Sequence, residues 1–174
     1  DLTASMTMYQ PNQPPMYMLT WPDNRRVQGG FAATYNNKLD TSTSITISAR
    51  VDQFVSYLTK SAAKDQLSVL QNSTDDIWRT LKNISAEIGR DFNSRYKISV
   101  TAAYAERMPS SSELYGFYLF NAFDNYDYIG STILNTEQAY KADISLQYNS
   151  PKIQISLTPF AAKVSNYIFG VYQP

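Results

Sequence analysis

Four of the chain's five methionines fall between residues 6 and 18. Met6, Met8, Met16 and Met18 flank Gln10-Pro11-Asn12-Gln13-Pro14-Pro15. Four thioethers near one loop tip are soft donors, a chemistry that suits Cu(I). The same side chains also serve as apolar filling, because Met6 and Met8 continue the alternation begun by Leu2 and Ala4. Copper on these methionines is the one cofactor the residues raise. The chain has no cysteine and no histidine. That excludes disulfides, thiolate nucleophiles, His-based zinc sites and the Ser-His-Asp triad within these residues. No nucleophile–base pair is visible, so the chain reads as a non-enzyme with no catalytic residue to nominate.

A second group with chemical potential is the stretch from Gly116 to Tyr128, dense in aromatics and acids. Phe117, Tyr118, Phe120, Tyr126 and Tyr128 can stack on sugars, peptides or catechols, or pack against one another. Lys+Arg and Asp+Glu are 15 each in 174 residues, so the net charge is zero. A nucleic-acid binder needs a basic surplus to displace counterions, and none exists here. Charged residues reach only 17%, while tyrosine alone contributes 14 residues. Few charges with many tyrosines is a composition that needs an explanation.

The elements that must position these groups are strands. Ile45, Ile47, Ala49 and Val51 alternate with Ser44, Thr46, Ser48, Arg50 and Asp52. The same period of two runs through Tyr96–Arg107, through 139–148 and through 153–158. Arg50, Asp52, Glu87, Lys97, Arg107, Lys141 and Asp143 fall on the polar faces. Strands are expected at 2–9, 16–36 with a bend near 23–26, 43–55, 79–91, 95–107, 137–148 and 152–170. A short helix is expected at 62–70. Short connections at 36–40, 91–94 and 149–151 alternate with long ones at 54–78 and 109–138. In an up-and-down meander all tight turns then lie at one end, the asymmetry of an outer-membrane barrel with periplasmic turns and extracellular loops. Tyr35, Phe92, Tyr96 and Tyr148 sit beside short turns, and Tyr9, Trp21, Trp78 and Tyr104 toward long ones. Two aromatic levels bracketing apolar residues fit a bilayer. A soluble all-β binding module also alternates and is the first alternative. Seven strands is an odd number, whereas complete bacterial barrels are even, so the chain is expected to be an incomplete strip. A complete small outer-membrane barrel with a structural or adhesive role is the second alternative. Asn72-Ser73-Thr74 and Asn83-Ile84-Ser85 match glycosylation acceptors, without consequence for a bacterial protein.

The stretch Ala105-Glu106-Arg107-Met108-Pro109-Ser110-Ser111-Ser112-Glu113-Leu114-Tyr115 resembles TonB-dependent outer-membrane receptors where a strand ends in Arg-x-Pro-Ser followed by Glu-Leu. Tyr128-Ile129-Gly130-Ser131-Thr132 through Glu137 is similar to the segment opening that family's next strand, with Ser131-Thr132 in place of its usual Asn-Pro and Asn135-Thr136 in place of Lys-Pro. Gly29-Gly30-Phe31-Ala32, Ser48-Ala49-Arg50-Val51-Asp52 and Phe160 to Ile168 resemble other strands of the family, so the likeness spans about residues 25–170. It implies that residues 1–174 belong to a 22-stranded transmembrane barrel whose plug domain lies elsewhere. It implies import of a scarce nutrient, as siderophore, metal, vitamin, glycan or peptide, driven through TonB. Arg107, Pro109, Ser110, Glu113, Leu114 and Gly130 would then be structural motif residues. Arg107 and Glu113 would order the strand-to-loop passage through a charge-assisted bond.

Overall fold

The computed structural model describes residues 4–9, 11–69 and 75–172, with Ala4 and Met8 described by backbone alone. Leu2, Gln10, Leu70 and the Asn72-Ser73-Thr74 acceptor match lie outside the described residues. In chain order the elements are β1 (Ala4–Met8), β2 (Met16–Trp21), β3 (Asn24–Lys38), β4 (Thr43–Leu58), α1 (Ser61–Ser68) and β5 (Ile77–Asp91). They continue with β6 (Tyr96–Arg107), α2 (Ser111–Tyr115), β7 (Leu119–Asn121), β8 (Tyr126–Tyr128), β9 (Glu137–Asn149), β10 (Gln154–Leu157) and β11 (Phe160–Ser165). The chain is all-β in class, and every pairing is antiparallel.

The main sheet runs β3-β4-β5-β6-β9, with β10 and β11 both beside β9. Leu157 stands opposite Leu146 and Phe160 opposite Asp143, so the register is continuous across the break. The Ile144 N–H donates to Pro159 O at 3.1 Å. Proline has no N–H to return, and there the row is split in two. The sheet is therefore seven strands in six rows. Among the described residues β3 and the β10–β11 row are each paired on one side only, so no closed barrel is present.

Three expectations are corrected. The strand at 16–36 is two elements, because the chain turns at Pro22, whose carbonyl accepts from Asn24 Nδ2 at 3.0 Å. Of the strand expected at 2–9, the described part, β1, pairs with β2 in a separate hairpin and not with the main sheet. Alternation reports two faces but not which neighbour a strand takes. The count of seven therefore does not consist of the seven expected strands, and the odd-number argument falls with it. The segment 152–170 is also shorter in strand than expected, ending at Ser165.

Register places side chains of like character on the same side of the sheet. Ile45, Ile88, Val100 and Ile144 form one cross-strand line, and Ile47, Ala86, Ala102 and Ala142 the next. This face is bare: Ile84 is 53% exposed and Val100 44%. The opposite face carries Arg50, Asp52, Glu87, Lys97, Arg107, Lys141 and Asp143, as alternation requires. Arg50 and Asp52 pair at 2.6 Å, and Lys141 and Asp143 at 3.0 Å. Past Pro159 the last row changes character: Lys163 stands opposite Tyr140 on the bare face and Phe160 opposite Asp143 on the polar one.

The buried core lies on the polar face, at the end where the long loops emerge. Phe54, Leu58, Ile77 and Leu81 are apolar intruders at the tops of β4 and β5. Onto them pack Ala63 and Leu67 of α1, Leu114 and Tyr115 of α2, and Met18 of β2. The β1–β2 hairpin is tied down by Gln66, whose amide accepts from Leu19 N at 2.9 Å and donates to Leu19 O at 2.7 Å.

At the other end the connections are tight and self-capped. Asp40 Oδ1 accepts the N–H groups of Ser42 and Thr43, both at 2.7 Å. Asn93 Oδ1 does the same for Arg95 at 2.8 Å and Tyr96 at 3.0 Å, and Ser150 Oγ accepts from Ile153 N at 3.0 Å. The Ser42 N–H and hydroxyl, with Thr43, hold the Asp40 carboxyl down at about 2. A folded pKa below the unfolded one contributes stability above the ordinary carboxylate range that is lost as pH falls toward 2. The β3–β4 turn should thus keep its Asp40 bonds at pH 4 and lose them near pH 2. Carbon NMR of the Asp40 carboxyl measures this, and Asp40→Ala should abolish the transition.

Candidate functional site

The passage from β6 into the long loop gathers six residues that the sequence singled out. Arg107 closes β6 with its guanidinium aimed at two carboxylates. Its Nε donates to Glu137 Oε2 at 2.5 Å, and its two Nη atoms donate to Glu113 at 3.0 and 3.1 Å. Pro109 is fully buried, and its carbonyl accepts from Arg26 Nη2 on β3. Ser110 then caps α2: its Oγ accepts from Glu113 N at 3.2 Å, while Glu113 Oε2 accepts from Ser110 N at 2.6 Å. This reciprocal capping box satisfies donors that a helix start otherwise leaves open. Leu114, one position on, is 1% exposed beneath the loop.

Gly130 returns the loop to the same place. Its N–H donates to Gly116 O at 2.7 Å, and the Ser131 N–H donates to Glu113 O at 2.8 Å. A Cβ on Gly130 would lie 2.8 Å from Glu113 O and 2.9 Å from Gly116 N, both backbone atoms that cannot swing aside. Gly130→Ala should therefore cost about 1–3 kcal/mol as overpacking. Faster proteolysis of the loop 117–136, with the β3–β4 hairpin unaffected, is the expected readout.

Glu137 and Arg26 were not singled out by sequence. Glu137 stands opposite Arg107 in the β6–β9 register. Pairing 95–107 with 137–148 in antiparallel fashion from their ends would have found it. Arg26 lies across the sheet from Pro109, and nothing local announces that contact.

The aromatic stretch divides. Phe117 is 6% exposed and part of the core, so its ring is not offered to a ligand. Tyr118 adopts a left-handed φ of 51° and packs edge-on against Phe117, with centroids 5.0 Å apart. Phe120, Tyr126 and Tyr128 lie on the small β7–β8 hairpin and are exposed. Asp124 anchors that hairpin, accepting from Tyr128 Oη at 2.6 Å, Tyr126 N at 3.0 Å and Asn121 Nδ2 at 3.0 Å. The Tyr128 bond chiefly holds the Asp124 carboxyl below its usual range, and the same bond raises the Tyr128 phenol. The proton thus stays on the tyrosine. Tyr172 lies 5.9 Å from Tyr126 by ring centroid and extends the exposed aromatic surface.

Below the junction, on the polar face, is a cavity of about 360 Å³ lined by Arg26, Gln28, Asp52, Phe54, Asn83 and Arg107, among others. Gln28 Nε2 donates to Asp52 Oδ1 at 2.9 Å beside the Arg50 pair. The lining holds two cations, Arg26 and Arg107, and two carboxylates, Asp52 and Glu106, so the recess carries no net charge. No family model matches the chain.

Met6, Met16 and Met18 lie on the β1–β2 hairpin, where Met18 is buried in the core that also holds Leu114 and Phe117. Met8 pairs with Met16 there.

Proposed function

We propose that this sheet is part of the wall of an outer-membrane β-barrel, and that the barrel is a TonB-dependent receptor importing a scarce nutrient. The observation that carries the reading is the bare apolar face and its aromatic ends. Tyr96 and Tyr148 are cross-strand partners with ring centroids 5.0 Å apart, and Tyr104 and Tyr140 are partners at 4.9 Å. Tyr96 and Tyr104 are separated by about 27 Å along a strand, which at a tilt of about 40° is about 21 Å of height. An outer-membrane barrel presents an apolar band of about 25 Å between aromatic girdles. In water so large an apolar face is a liability, and in acyl chains it is the requirement.

On this reading lipid covers the bare face, and the polar face lines a hydrated interior against which a plug region packs and through which TonB acts. Unpaired edges are not tolerated in hydrocarbon, so further strands, to a total of 22 in this family, continue the sheet at β3 and at β10–β11. The protein is not an enzyme in this role. Tyr118, Phe120, Tyr126 and Tyr128 stand at the extracellular end, where a chelate, vitamin, glycan or peptide would arrive, and the Arg107 junction holds their loop over the wall.

The test places nitroxide labels at Ile47, Val100 and Ile144, and at Ser48, Thr101 and Ser145 beside them, in the protein reconstituted in lipid. Dissolved oxygen should relax the first set and a water-borne nickel chelate the second. The reverse accessibility, or a protein that stays in water without detergent, overturns the reading.

A further inference from the structure

The hairpin methionines are the sequence feature that the wall leaves unused. β1 and β2 pair with Met6 opposite Met18 and Met8 opposite Met16. Opposite residues in such a ladder have Cβ atoms about 4.5–5.5 Å apart, and alternate residues on one strand share a face. Met6, Met16 and Met18 therefore rise from one side of the hairpin as neighbours. Their burial is graded. Met18 is 6% exposed, Met6 is half-buried and packs against the same core, and Met16 is 52% exposed beside the loop tip. The row of thioethers is therefore closed by the core at its Met18 end and open to solvent at its Met16 end.

The donor set also selects. The chain has no cysteine or histidine, and among the described residues no acidic cluster able to hold a metal occurs. Thioethers alone suit soft monovalent d10 ions and are poor ligands for zinc, magnesium or calcium. The geometry points to a binding site for Cu(I), or its redox-inert analogue Ag(I), on the β1–β2 hairpin, with Met6, Met16 and Met18 as ligands and Met8 the next position of the same ladder. The site needs the hairpin and the core it rests on, not a bilayer, so its failure leaves the wall reading untouched.

The experiment titrates the intact, detergent-purified protein with Ag(I), and anaerobically with Cu(I) against a chromogenic chelator, in the presence of excess Zn(II). One ion per chain should bind, with an X-ray absorption spectrum of sulfur ligands alone. Met6→Leu and Met16→Leu should each weaken binding by about tenfold or more. Met108→Leu, a buried methionine of the same core, should leave it unchanged. Each variant's unfolding midpoint checks the fold, and half-exposed Met16 carries the test where Met6→Leu disturbs packing. Absence of saturable binding, a nitrogen or oxygen shell, or an equal loss in Met108→Leu overturns the site.

Discussion

Val100→Arg should lower the stability of the protein folded in a lipid bilayer by about 2–4 kcal/mol, the depth-dependent cost of a cation at the midplane. Val100 sits midway between Tyr96 and Tyr104 on its strand, and its partner Ile144 midway between Tyr140 and Tyr148. It thus lies at the greatest distance from either aromatic level, where a guanidinium cannot easily snorkel to water. Thr101, the next residue, points the other way, and Thr101→Arg should change stability by less than about 1 kcal/mol. Urea unfolding from liposomes measures both. The contrast between neighbours is the informative quantity, because β-propensity and strand position are shared. In water Val100 is already half-exposed, and an arginine there would be nearly neutral. Equal, small effects at both positions would remove lipid from the bare face.

Arg107→Ala should cost about 2 kcal/mol, a value kept modest because the side chain is 47% exposed. The loss is not one ion pair. Glu113 and Glu137 both converge on the guanidinium, and its removal leaves two carboxylates facing one another. Glu113 also closes the α2 capping box, and Glu137 Oε1 also accepts from Ile168 N at 2.8 Å. Faster hydrogen exchange over 108–117 is therefore expected, with the β3–β4 hairpin unchanged. Arg107→Lys keeps the charge but not the fork, and should recover less than half of the stability. Glu137→Gln added to Arg107→Ala should restore part by removing repulsion. Burial pushes the Glu113 carboxyl up, but Arg107 and Ser110 outweigh it and hold it below its usual range. Its contribution is thus complete above the ordinary carboxylate range and lost as pH falls, so wild type and Arg107→Ala should converge in acid.

The strands of the main sheet were legible because period two survives wherever the two faces of a sheet differ in polarity. The seven charged residues assigned to polar faces do share one side of the sheet. The tight turns were legible for a local reason too, since Asp40, Asn93 and Ser150 cap their own backbones. Partner choice was not legible. Residues 4–8 alternate as well as any strand of the main sheet, yet they pair with 16–21, because Pro22 turns the chain and the Met18 side drops onto α1. Nor was the burial of Phe117. In a run of aromatics, composition cannot say which ring faces inward, and that depends on where α2 ends against the core. The junction lay in between: Arg107, Ser110 and Glu113 are neighbours in sequence, while Arg26 and Glu137 reach them only through the register of the sheet.

The self-capped turns bear on how the main sheet is assembled. β3 with β4, β5 with β6, and β9 with β10 are each joined by a few residues whose geometry is set locally, so each pair can zip without help from the rest. Joining β4 to β5 and β6 to β9 must instead wait for residues 59–76 and 108–136 to close, though a longer loop adds only slowly to the entropy of closure. The folding quantum of this protein is then the hairpin. The Glu137 arm of the Arg107 junction spans β6 and β9, so that part of the latch can close only once the two pairs have met.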